Sequence, residues 1–182
     1  FGRPILALID TPGAFPGVSA EERGIGEAIA RNLREFSVLE TPIIVVIIGE
    51  AGSGGALGIG VGDRVFMLDN TVYSVISPEG FASILLRDAK KSQQAAELMR
   101  MTSQDLNSFG IIDGVIPEPS GGAHKDPKRI AARIKSEVID AYTLLSRKKM
   151  DQLLKERSEK LLSLGVFFER AEKRRGFFSR RK

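Results

Sequence analysis

The run Ile43-Ile44-Val45-Val46-Ile47-Ile48 leads straight into Gly49-Glu50-Ala51-Gly52-Ser53-Gly54-Gly55-Ala56-Leu57-Gly58-Ile59-Gly60. Six consecutive β-branched residues cannot alternate between core and water, so they predict a strand covered on both faces, as in parallel sheets flanked by helices. The glycine-rich segment must then turn the chain into a helix that presses closely on its neighbours, because residues without a side chain admit close backbone approach. The two segments together point to an α/β fold.

The flanking sequence agrees. Pro4 to Ile9 reads as a second buried strand. Ser19 or Ala20 opens an amphipathic helix through Leu39, with Ile25, Ala28, Ile29, Leu33 and Phe36 on one face and Glu21 and Glu22 complementing its N-terminus. Thr41-Pro42 ends it, which gives the order β, loop, α, β. Asp63 to Leu68 and Thr71 to Ile76 are expected as short strands around the turn pair Asp69-Asn70. Ser77-Pro78-Glu79-Gly80 begins another helical region, and Ser92 to Met101 is an amphipathic helix. Leu106 to Ile116 reads as helix end, glycine cap and strand, and Pro127 starts the last helix of the core.

Composition excludes several chemistries. The 182 residues contain no cysteine and one histidine, which removes disulfides, thiol nucleophiles, iron–sulfur clusters and Cys-based zinc sites, and no metal ligand set is assigned. No apolar run approaches the ~20 residues that cross a bilayer, so the protein is expected to be soluble. The net charge of +4 is unevenly placed: Ser146 to Lys182 holds 13 Lys/Arg against 5 Asp/Glu, and residues 1–145 are net acidic. Two regions are therefore expected, a core over 1–145 and a basic, helical or partly disordered tail over 146–182. No nucleic acid partner is expected, because the core lacks the basic groove with interleaved aromatics that such binding uses.

Ile9-Asp10-Thr11-Pro12-Gly13-Ala14-Phe15-Pro16-Gly17 contains the D-T-P-G of GTPases. A GTPase also needs an upstream G-x-x-x-x-G-K-[S/T], and the glycine-rich segment here lies downstream and contains no Lys. A Mg²⁺-binding role for Asp10 is thus disfavoured against a local cap in a tight strand-to-helix connection. Ser53 follows a buried strand, but a nucleophile elbow needs Gly two positions before it, where Ala51 stands. Gly49 to Gly54 echoes the looser frame of the Clp peptidases. The base is the difficulty, because His124, the sole histidine, lies 71 positions on in a Pro/Gly-rich loop. A strand ending in a glycine turn and flowing into a helix offers catalysis by backbone instead: its free N–H groups converge where the helix dipole also favours negative charge, forming an oxyanion hole. Glycines at 52, 54 and 55 that merely permit tight packing account for the spacing equally well.

The segments IDTPGAFPG with AEERG, IGEAGSGGALGIGVGD, YSVISPEGFASIL and IIDGVIPEPSGGAH closely resemble the carboxyltransferase α subunit of multi-subunit acetyl-CoA carboxylase, over about Pro4 to Ala141. The resemblance implies a crotonase (ClpP-like) fold of stacked ββα units with a helical C-terminal extension. It also implies an N-terminal portion that this chain lacks, since Pro4 to Ile9 is already a strand; a shortened subunit would expose partner-facing apolar surface.

The implied reaction moves a carboxyl group from carboxybiotin, borne by a biotin carboxyl carrier protein, to acetyl-CoA, giving malonyl-CoA for fatty acid synthesis. The implied partners are a zinc-ribbon carboxyltransferase β subunit, in an α2β2 heterotetramer, and biotin carboxylase in the larger complex, in bacterial cytoplasm or plastid stroma. Within that family Gly54 and Gly55 match the biotin-facing oxyanion pair, Gly52 and Ser53 flank it, and Gly13 or Ala14 supplies a second amide. Glu79 is expected as a buried structural carboxylate or a helix N-terminal charge rather than a base. Val166 to Lys182 lies outside the resemblance; its Phe pairs and basic clusters fit a solvated extension, or less well a membrane-surface helix.

Overall fold

The structure is a computed structural model that describes residues 1–165. Its centre is a five-stranded, all-parallel sheet: β1 (Ile5–Thr11), β2 (Ile43–Gly52), β3 (Arg64–Leu68) and β5 (Gly114–Ile116) lie in the order β1-β2-β3-β5, and β4 (Val72–Ser74) pairs with the far half of β2. The β-branched run is its middle. Ile43 to Ile47 are each at most 1% exposed, and burying each such side chain contributes about 1.5–3 kcal/mol relative to leaving it in water. Ile43, Val45 and Ile47 enter one core cluster with Ile9, Met67 and Leu106, while Ile44 and Val46 enter another with Phe66, Leu68 and Ile116. A strand apolar on both faces therefore stitches two cores together.

β2 pairs with two strands in turn. Ile44 to Ile47 pair with Arg64 to Met67 of β3, whereas Glu50 to Gly52 pair with Val72 to Ser74 of β4. β1 takes the same path: Ile5 to Ile9 pair with Ile43 to Ile47, then Thr11 pairs with Ala51 after a register shift. Each long stretch thus acts as two short strands before a helix, as stacked ββα units require.

Helices complete the layers. The helix expected from Ser19 to Leu39 is two, α1 (Val18–Glu22) and α2 (Ile25–Val38), separated at Gly24, whose φ of 76° is left-handed. Ile25, Ile29, Leu33 and Phe36 of the expected apolar face are half-buried, but Ala28 is exposed. The first turn after β2 is α3 (Ser53–Leu57). Beyond β4 come α4 (Pro78–Phe81), a π-turn over Ala82–Leu86, α5 (Ser92–Met99) and α6 (Ser103–Ser108). The long α7 (Pro127–Leu145) is capped by Asp126, whose carboxylate accepts from the Arg129 N–H, and it lays Ile130, Ala141 and Leu145 on the second cluster. It stops short of β1, where Leu6 and Leu8 stay about half exposed beside Ile139 and Tyr142.

The last described helix, α8 (Met150–Leu162), begins beyond position 145 and is locked to the core. Leu153 is buried in the second cluster, and the Arg157 side chain is fully buried. Its guanidinium donates from Nε and Nη2 to the two Asp63 carboxylate oxygens at 2.8 and 2.9 Å, and to the carbonyls of Phe36, Leu39 and Thr41, each at 2.8 Å. Asp63 also accepts from the Ile43 N–H at 2.7 Å. Val166 to Lys182, the segment considered for membrane contact, lies outside the described residues.

Removing one partner of such a pair strands the other charge without water. Arg157→Met is expected to lower the urea unfolding free energy by about 3–5 kcal/mol. Arg157→Lys should recover only part of that loss, since an ammonium cannot reproduce the planar fork on Asp63.

Candidate functional site

Two backbone stretches meet at the ends of β1 and β2. The loop from Pro12 to Gly17 lies against the turn from β2 into α3 so closely that side chains are excluded between them. A Cβ on Gly52 would sit 2.1 Å from the Pro12 carbonyl oxygen, and one on Gly55 would sit 2.7 Å from the Gly13 carbonyl carbon and 2.8 Å from the Ala14 nitrogen. All three atoms belong to backbone, which cannot swing aside as a side chain can. Gly13 has a φ of 137°, a conformation that favours glycine. Gly54 and Gly58 face another way, toward Ile29 of α2. The close packing anticipated for these glycines is therefore real, and it holds the loop beside the start of α3.

A cavity of about 550 Å³ opens beside this contact. Gly13 and Ala14 line one wall, Gly52 and Ser53 another, and Val72, Ser74, Ile76 and Met101 close the remainder. Four of the six residues singled out from the sequence thus border one space. Gly54 and Gly55 are next to it, in the first turn of α3. No side chain caps α3, and the first amides of a helix have no intrahelical acceptor. The Gly13 N–H is engaged weakly by Thr11 Oγ1 at 3.3 Å. The Ala14 N–H has no acceptor among the described residues. A space bordered on one side by backbone, with N–H groups that lack a cap beside it, suits an uncharged carbonyl that gains negative charge.

Ser53 itself is exposed and sits at a φ of 49°, one of three non-glycine residues with positive φ among those described. Such a residue carries strain of about 1–3 kcal/mol, which marks turns built for a purpose. His124 is elsewhere. It borders a different cavity, of about 420 Å³, beside Asn70, Thr71 and Glu118, and no hydrogen bond connects it with Ser53 among the described residues. The serine and the sole histidine are not assembled as a dyad.

Other residues depart from the sequence reading. Glu79 is exposed in the first turn of α4, so the buried alternative does not hold and the helix-terminal charge does. Ser77 caps that helix by accepting from the Gly80 N–H at 3.2 Å. Asp10 caps nothing locally: its Oδ1 accepts from the Glu50 N–H, 40 positions away, at 3.1 Å. The walls contributed by Val72, Ser74 and Met101 carried no signal, because Val72 and Ser74 reach the cavity only through the pairing of β4 with β2 and Met101 lies beside β4, its carbonyl accepting from the Tyr73 N–H at 3.0 Å. Ser74 stiffens that wall by donating to the Ile76 carbonyl at 2.6 Å. Tyr73, between two wall residues, packs on the first core cluster instead, and burial pushes its phenol pKa above the ordinary value.

Known proteins share both the sequence and this architecture. An acetyl-coenzyme A carboxylase carboxyl transferase subunit alpha from Treponema denticola is 56% identical over 169 residues, covering 93% of this chain and 55% of that protein. One from Clostridium botulinum is 54% identical over 166 residues, covering 91% and 61%. The chain thus spans little more than half the length of these relatives. Among solved structures, transcarboxylase 12S with methylmalonyl-coenzyme A and methylmalonic acid bound superposes with a TM-score of 0.68 at 25% identity, over 82% of this chain and 28% of that one. A Pseudomonas malonate decarboxylase hetero-tetramer in complex with coenzyme A shares the fold, with a TM-score of 0.70 at 21% identity over 88% and 64%. The architecture is that of the crotonase-fold carboxyltransferases. The acetyl co-enzyme A carboxylase carboxyltransferase-like family matches residues 1–165, the whole described chain, and the chain belongs to that family.

Proposed function

We propose that this chain is the carboxyltransferase domain of an acetyl-CoA carboxylase α subunit, a transferase that works with a β subunit to pass a carboxyl group from carboxybiotin to acetyl-CoA, yielding malonyl-CoA. The observation that carries the reading is the meeting of two backbone stretches, Pro12 to Ala14 against Gly52 and Gly55, beside a cavity that Gly13, Ala14, Gly52 and Ser53 line. Family membership supports the same chemistry. The biotin is carried by another protein, and the cavity's polar edge of backbone N–H groups fits its ureido carbonyl.

The chain's own contribution is electrostatic. As the carboxyl group departs, negative charge grows on the ureido oxygen, and fixed amides stabilise it without reorganising. Gly54 and Gly55 are proposed to donate there, with Ala14, or Gly13 on release from Thr11, completing the pair. Gly52 and Ser53 shape the entry. The exposed apolar side chains of Phe15, Val18 and Val75 near the cavity fit the face that a β subunit domain covers. The carrier protein, the biotin carboxylase, an α2β2 assembly and a bacterial cytoplasmic setting belong to the same reading. Among the described residues no helix is long and apolar enough to cross a membrane.

Two substitutions distinguish amides from bulk. With the β partner present, Gly55→Ala is expected to cut carboxyl transfer from malonyl-CoA to free biocytin by about 10²-fold, because its methyl meets immovable backbone and displaces the opposing loop. Gly54→Ala keeps its amide and meets only the Ile29 Cδ1 methyl at 3.1 Å, so most transfer should survive. Equal losses from the two would refute the assignment.

Ser53→Ala should retain transfer, and a fluorophosphonate probe should leave Ser53 unlabelled. Labelling would revive the peptidase-like alternative.

A further inference from the structure

Between Ile9↔Ile47 and Thr11↔Ala51 the parallel ladder loses step: one residue of β1, Asp10, stands opposite three of β2, Ile48, Gly49 and Glu50. The exposed Asp10 carboxylate spans this bulge, accepting from the Glu50 N–H at 3.1 Å. Its space exists only because position 49 is glycine: a Cβ there would lie 2.2 Å from Asp10 Oδ1 and 2.6 Å from its carboxyl carbon. Gly49 does not have positive φ, so room, not backbone conformation, explains its identity.

The bulge has a geometric product. It delays β2 by two residues relative to β1, so the chain beyond it brings Gly52 against Pro12 and Gly55 against Gly13 and Ala14. In an unbroken ladder Thr11 would face Gly49, and the turn into α3 would begin farther from the loop. Bulges bend the strand that carries them and re-aim the residues downstream.

We infer that Asp10 is a positioning residue, whose carboxylate, seated over Gly49 and bonded to the Glu50 N–H, fixes the facing of the loop amides at Gly13 and Ala14 and the helix amides at Gly54 and Gly55. The significance of those amides rests on the function proposed above; the positioning itself does not. Asp10 touches no substrate in this scheme, and its effect is transmitted through the β1–β2 bulge.

The first test is amide NMR on the full 182-residue chain, which reads position without any assay of activity. Asp10→Ala should speed hydrogen exchange at the Glu50 N–H and shift the amide resonances of Gly13, Ala14, Gly54 and Gly55, leaving the Val65 to Met67 amides of β3 in place. Asp10→Asn, whose carbonyl oxygen can accept the same bond, should restore the native positions. Gly49→Ala should reproduce the Asp10→Ala pattern, and adding it to Asp10→Ala should change little more, because the group it would strike is already gone. Unmoved loop amides in both Asp10→Ala and Gly49→Ala, or shifts from the two that simply add, would overturn the inference.

The second test is carboxyl transfer with the β partner: Asp10→Ala should lower kcat on the order of ten- to a hundredfold with KM for malonyl-CoA little changed, and Asp10→Asn should recover it. An inactive unmutated pair would defeat the proposed function while the amide shifts still decided the role of Asp10. A changed KM with an unchanged kcat would defeat the positioning role.

Discussion

One guanidinium organises the near end of the molecule. Arg157 ties the close of α2, the start of β2, the approach to β3 and the whole of α8 through five hydrogen bonds, three of them fully buried. Every carbonyl it satisfies lies where a helix or loop hands over to a strand, and such groups are costly to bury unpaired. Asp63 returns the same favour to the first amide of β2. The central strand therefore starts from a fixed point, and everything built on its far end, including the cavity, is measured from there.

How much of this was legible in the sequence depended on whether a feature is local. The run from Ile43 to Ile48 announced a doubly covered strand because no amphipathic element can use six β-branched residues in a row. The turn into α3, the helix start at Ser77-Pro78 and the helix start at Pro127 were legible for the same reason: each is a pattern of a few adjacent residues. The break at Gly24 was not, since Glu21 to Leu33 keeps helical spacing through it. Arg157 was hidden most completely. It sits among many basic residues, and nothing nearby tells a solvated arginine from one that meets Asp63, 94 positions away. Asp10 was equally opaque, because its partner Glu50 comes from the next strand.

The glycines illustrate why the candidate site was only half readable. Tight packing and a backbone oxyanion hole had looked like rival explanations of Gly52, Gly54 and Gly55. In the folded chain the packing is present and does not compete with the proposed hole, because the contact that excludes a Cβ between Gly55 and Gly13 also sets the Ala14 amide beside the start of α3. Gly54 separates from its neighbour in this respect, since its missing side chain makes room for Ile29 rather than for the loop. Two adjacent glycines thus have different reasons to be glycine.

β2 is ten residues long and serves two partners, its first half read by β3 and its second by β4. Such a strand behaves like a ruler clamped at both ends. Inserting or deleting a residue between Ile47 and Glu50 cannot be absorbed by a surface loop, because the upstream half is pinned by the buried core and the downstream half by β4. The change would instead turn Gly52 to the opposite face of the sheet. A change of length is thus borne least easily in the middle of the chain and more easily in an exposed turn such as that at Ser120 and Gly121.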